Sequence, residues 1–118
     1  MPYGFAQRVV EATPETILKN ARRAAREAGL VTGPVRNPHG AFDERYLPIV
    51  DGPVTGRLWV WALTSRLSVA YLGLSDGSPF ALVTPIAAQR RLRRRAGWLL
   101  DQVGAEPAFE RDDLRVAA

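Results

Sequence analysis

The chain contains no cysteine. Disulfides, zinc–thiolate sites, iron–sulfur clusters and thiol catalysis are therefore excluded, and the redox compartment is left open. Histidine occurs once, at His39, and lysine once, at Lys19. A metal site normally needs three or four ligands. His39 has only Asp43 and Glu44 close by in the chain, so a solvated turn histidine is expected there, with no metal and no cofactor. Nucleophile-elbow and phosphate-loop motifs are absent, and Gly73-Leu74-Ser75-Asp76-Gly77 reads as turn chemistry. Scattered acids such as Asp51 and Asp76 could converge, but no feature of the sequence selects them, and no enzymatic activity is expected. A long apolar run is missing too. Leu58 to Leu74 is broken by Arg66 and small polar residues, too interrupted for a membrane span. The opening MPYGFAQRVV has no basic leader followed by an apolar stretch. A soluble cytoplasmic protein with no membrane partner is the expectation.

What is present is a 118-residue chain, enough for one buried core. Its hydrophobic content of 47% and charged content of 24% are ordinary for a globular domain. The formal net charge of +4, with an isoelectric point near 10.3, suggests an anionic partner. Every basic residue except Lys19 and His39 is arginine, and alanine, glycine and proline are abundant, a bias typical of GC-rich coding. Total charge is discounted accordingly, and clustering carries more weight.

The arginines do cluster. Thr84 to Val103 reads TPIAAQRRLRRRAGWLLDQV, with five arginines in six positions. Thr84 can cap a helix whose first residue is Pro85, a position where the missing N–H costs nothing. Leu92, Ala96, Leu99 and Val103 recur at helical spacing and define one apolar stripe. At about 100° per residue, Arg90 and Arg94 point away from that stripe, Arg91, Arg95 and Trp98 flank it on one side, and Arg93 on the other. Gly104 is a natural stop. A second helix is predicted from Thr13 to Gly29, with Thr13 as cap, Pro14 first, and a stripe of Ile17, Ala21, Ala24 and Ala28. Lys19, Arg22, Arg23 and Arg26 occupy its remaining surface.

Between the helices, residues 30–44 form a long proline- and glycine-containing loop. Strands are predicted at Tyr46–Val50, where Pro48 implies an edge strand or a marginal one, and at Arg57–Leu63, Arg66–Leu72 and Phe80–Val83. Residues 3–11 fit a helix or a strand, with Tyr3, Phe5, Val9 and Val10 tucked onto the core. The predicted class is α+β: an antiparallel three- to four-stranded meander flanked by an N-terminal and a C-terminal amphipathic helix. Residues 1–104 make a single domain, and 105–118 an acidic, frayed tail. The α-β-β-β-α order is similar in outline to the double-stranded RNA-binding domain. The lysine-rich start of that family's second helix is absent here, and no family is assigned.

Two functions from different classes follow. Arginines four apart on a helix are about 6 Å apart along its axis, close to the phosphate spacing of one strand. The first reading is therefore a nucleic-acid backbone binder with little sequence preference, DNA or RNA. It uses Arg90, Arg91, Arg93, Arg94 and Arg95, extended by Arg22, Arg23 and Arg26, with Trp98 as a stacking platform. An acidic protein surface could take the place of the nucleic acid. The alternative is a structural or adaptor subunit. Trp59, Trp61 and Leu63 share one strand face while Leu58, Val60 and Ala62 share the other, so both faces need cover. Either a homo-oligomer forms through Trp59, Trp61 and Leu63, or the N-terminal segment and the long loop lie over the second face.

Overall fold

The computed structural model of the protein describes residues 2–38 and 44–104. Strand β1 (Tyr3–Val10) leads into helix α1 (Pro14–Glu27) and the two-residue strand β2 (Val31–Thr32). Three longer strands follow, β3 (Arg45–Asp51), β4 (Val54–Ala62) and β5 (Ser68–Asp76), then a short helix α2 (Pro79–Val83) and the long helix α3 (Pro85–Gly104). The five strands form one antiparallel sheet in the order β1-β5-β4-β3-β2. The predicted meander is its centre.

Local chemistry explains the two long helices. The Thr16 amide donates to Thr13 Oγ1 at 3.3 Å, satisfying one of the orphaned N–H groups of the first turn of α1. At the other end Gly29 adopts φ 78°, a left-handed conformation that costs a side chain dearly. The Gly29 amide reaches Arg26 O and the Leu30 amide reaches Ala25 O, the paired bonds of a Schellman stop. Leu30 and Ala25 are both buried, so the stop also seals the core. In α3, Ala88, Leu92, Ala96, Leu99, Leu100 and Val103 are buried and the five arginines are exposed. The predicted stripe is the buried one.

The sheet presents Leu47, Ile49, Leu58, Val60, Ala70, Leu72 and Leu74 to α1 and α3, and these residues with the helix stripes form the core. A fully buried leucine such as Leu58 or Leu72 stabilises by about 1.5–3 kcal/mol relative to exposure. The small Ala21 and Ala25 bring α1 close to α3, and the remaining void between helices and sheet is about 10 Å³. That is the space of one water at most. The interior is filled, and sites for ligands lie outside it.

Several expectations are corrected. Residues 3–10 are a strand, and of the four residues expected on the core only Val10 joins it; Tyr3, Phe5 and Val9 stand exposed on the opposite face of the sheet. Alternation along an edge strand sends odd and even residues to different sides, which a helical reading of the segment conceals. This leading strand also separates the fold from the α-β-β-β-α outline. Phe80–Val83 belongs to a helix, not to a final strand. Asp76 Oδ1 accepts from the Ser78 amide at 2.8 Å and Ser78 Oγ from the Ala81 amide at 3.4 Å, and this turn chemistry overrides the strand propensity of the run. β5 starts at Ser68, because Thr64 Oγ1 accepts from the Arg66 and Leu67 amides and widens the predicted two-residue link. Leu63 falls in that turn rather than on the strand face with Trp59 and Trp61. Pro48 is not at the outer edge: β2 pairs beyond it, and the Gly33 amide donates to Pro48 O at 3.0 Å. The bond uses the proline carbonyl, so the missing N–H is tolerated. His39, Asp43 and the tail from 105 onward lie outside the described residues.

β1 is seated on α3 more closely than a side chain would allow. A Cβ at Gly4 would stand 2.5 Å from the Arg93 amide nitrogen and 2.7 Å from Leu92 Cβ. Backbone on both sides leaves no flexible atom to give way. Gly4→Ala is expected to destabilise the fold by about 1–3 kcal/mol in urea titration. Gln7→Ala, at an exposed position on the same strand, is expected to stay within about 0.5 kcal/mol.

Candidate functional site

Two surfaces carry chemistry, and the sheet separates them. On the helical side, the five arginines of α3 divide into two sets. Arg95 pairs with Asp51 at the end of β3. Arg91, one turn earlier, lies beside Asp76 at the end of β5. Asp51 and Asp76 both pair with Val54 in the sheet, so two carboxylates far apart in sequence meet two arginines at one end of the fold. The Ser78 amide and then its side chain hold the Asp76 carboxyl below the usual range; burial opposes this and Arg91 adds to it. Asp76 is a fixed anion that caps a turn and anchors a helix.

Arg90, Arg93 and Arg94 form the second set. All three are exposed, and among the described residues none meets a carboxylate. Arg91, Arg94, Arg95 and Trp98 line a shallow groove of about 590 Å³ together with Ala28 at the end of α1. Trp98 is 50% exposed there, the flank position expected of it. A second groove of about 540 Å³ runs along α1, lined by Lys19, Arg22, Arg23 and Arg26. Glu15 and Arg45, paired at 3.0 Å, close its far end. Arg23 also donates to Asn20 Oδ1 at 3.3 Å, which holds its guanidinium against α1. Arg26 lines the α1 groove and Ala28 the α3 groove; two positions apart on a helix, they point to opposite faces of α1, so the two basic surfaces lie on either side of it. On the β1 side, Arg8 crosses over Gly97 to reach Asp101 at 3.3 Å.

The other side of the sheet is uncovered by any described helix or strand. Register pairing places Tyr46, Trp59 and Tyr71 in one row across β3, β4 and β5, with Tyr3, Phe5, Arg57 and Trp61 on the same face. The Tyr46 and Trp59 rings are 4.6 Å apart and those of Phe5 and Tyr71 5.4 Å apart. Arg57 lies over the Tyr46 ring at 4.9 Å, a cation–π contact. The second face is thus aromatic, and neither the N-terminal segment, which is β1, nor the described part of the loop lies over it. Leu63 is outside this row, so of the predicted interface only Trp59 and Trp61 share the face. Strand alternation in β1 and β5 was the available signal for Tyr3, Phe5 and Tyr71; Arg57 had none beyond its position two residues before Trp59.

Among the described residues no cluster of three or more histidine, cysteine, aspartate or glutamate stands together, and no helix is long and apolar enough to cross a membrane. No protein-family model matches the chain, and no curated protein sequence matches it. Among solved structures it is similar to TTHA0849 from Thermus thermophilus, at 13% identity over 87% of this chain and 94% of that one, with a TM-score of 0.51. That likeness is one of fold alone.

Tyr3 offers a direct check on the aromatic face. Its hydroxyl lies over Gly73, 2.8 Å from the Tyr71 hydroxyl. Desolvation first, then this hydrogen bond, push the Tyr3 phenol up to about 12. The folded state therefore favours the neutral phenol. Its stabilising contribution is complete below the ordinary value of 10.0 and disappears as pH rises through about 12. Subtracting the ultraviolet titration of Tyr3→Phe from that of the wild type should isolate a group near 12. In a Tyr71→Phe background the same difference should move down only part of the way, because desolvation, the larger cause, remains.

Proposed function

We propose that the helical side of the protein binds nucleic-acid backbone with little sequence preference. One observation carries this reading: Arg90, Arg93 and Arg94 are exposed on a single helix, with no carboxylate partner among the described residues. Guanidinium groups in this state bind phosphate oxygens in bidentate fashion without first giving up an ion pair. Arg22, Arg23 and Arg26 add a second basic groove, along α1. Trp98 lies at the mouth of the α3 groove, where an unpaired base could stack for about 1–3 kcal/mol. Arg91 and Arg95 contribute field rather than primary contacts, because Asp76 and Asp51 already engage them. Both grooves are lined mainly by cationic side chains, so charge and phosphate contacts take the leading part.

Titration with generic duplex DNA and structured RNA across a salt series tests the reading. With about four phosphates neutralised, log affinity for duplex falls against log salt with a slope near −4. Arg94→Gln should reduce that slope by about 1, and Arg90→Glu combined with Arg94→Glu should abolish binding at low salt. Equal affinity for polyaspartate would favour an acidic protein surface instead and contradict the reading.

A further inference from the structure

The open face of the sheet is more than an apolar patch. At its centre is a trough of about 550 Å³, within the range of small-molecule sites. The Tyr3 hydroxyl end fills the space over Gly73 and so forms part of the trough's lining. Trp59 and Tyr71, opposite each other in register, both line it, backed by Tyr46 and Phe5 respectively. Thr55 and Ser75, also paired in register, bring two hydroxyls to one end. Arg57 lines the trough as its one cation, held in place by the Tyr46 ring beneath it, and meets no carboxylate among the described residues.

From this geometry we infer that the trough binds a flat aromatic molecule bearing one carboxylate or phosphate group. The ring system lies against Trp59 and Tyr71, the anion takes the two parallel N–H donors of Arg57, and Thr55 or Ser75 holds a second polar atom. Charge decides against a second copy of the chain as occupant. The strand positions of this face carry no aspartate or glutamate, so two copies face to face would bury Arg57 with no anion on either sheet to meet it. An unpaired buried charge is costly, and a guanidinium facing its own symmetry mate is worse. An anionic aromatic relieves that cost and uses the rings as well. The inference does not depend on the proposed nucleic-acid surface, which lies across the sheet.

The test uses the full chain carrying Trp98→Phe, so that fluorescence reports Trp59 and Trp61. The probes are 2-naphthoate and 2-naphthyl phosphate, with 2-naphthalenemethanol as the uncharged ring and cyclohexanecarboxylate as the non-aromatic anion. Saturable quenching by at least one of the two anionic naphthyl probes is expected, and the tighter of the two identifies carboxylate or phosphate as the preferred group. Arg57→Gln should weaken that probe by about 10-fold or more while leaving 2-naphthalenemethanol unchanged. Arg57→Lys, which keeps the charge but loses the fork, should fall between. Cyclohexanecarboxylate should bind at least about 10-fold more weakly than 2-naphthoate. No saturable binding of either anionic naphthyl probe, or equal binding by wild type and Arg57→Gln, overturns the inference. So does a dimer by sedimentation equilibrium that dissociates on Trp59→Ala, because a second copy would then own the face.

Discussion

The docking of α3 onto the sheet decides everything else in this structure. Its stripe of Leu92, Ala96, Leu99 and Val103 is buried, and Gly4 lets β1 approach the backbone at Leu92 and Arg93 with no side chain between. Once that seat is taken, the rotation of the helix is fixed, and with it the direction of five arginines. Hydrophobic burial of about 1.5–3 kcal/mol per large residue outweighs the Arg95–Asp51 ion pair, worth less than about 1 kcal/mol at its exposure. The packing orients the charges; the charges do not orient the packing.

That orientation creates a division of labour along one helix. Arg91 and Arg95 reach down to the two aspartates at the end of the sheet, while Arg90, Arg93 and Arg94 meet nothing of opposite sign among the described residues. The same sheet turns its other face outward with aromatic rings and a single guanidinium in the trough. Since the interior between helices and sheet is filled, neither surface competes with a buried cavity. A basic, backbone-scale surface and an aromatic, small-ligand-scale trough occupy opposite sides of the fold.

Much of this is legible in the sequence, and the misses have physical causes. The cap Thr13 and the prolines Pro14 and Pro85 are local signals, and local structure follows them; the stripe of α1 is shifted, with Ile17, Leu18, Ala21 and Ala25 buried, Ala24 half-buried and Ala28 exposed. The arrangement of the arginines around α3 follows from helical period alone, and so does Trp98 beside Arg91. Which arginines are paired is a different matter, because Asp51 and Asp76 come to Arg95 and Arg91 only through strand register. The same holds for the aromatic row: Tyr46, Trp59 and Tyr71 are far apart in the chain and become neighbours through hydrogen bonding across three strands. At Phe80–Val83 propensity points to a strand, and the capping oxygens of Asp76 and Ser78 decide for a helix. Side-chain capping at a turn is strong enough to reverse a short run that carries no periodicity of its own.

The central claim is that packing leaves three arginines free for phosphate and commits two to the sheet. The measurement that tests it most directly is the nitrogen-15 spectrum of the arginine Nε–H groups during titration with a short DNA duplex. The account predicts that Arg90, Arg93 and Arg94 shift together and saturate, while Arg91 and Arg95 move little. Equal shifts at all five, or shifts confined to Arg91 and Arg95, would contradict it.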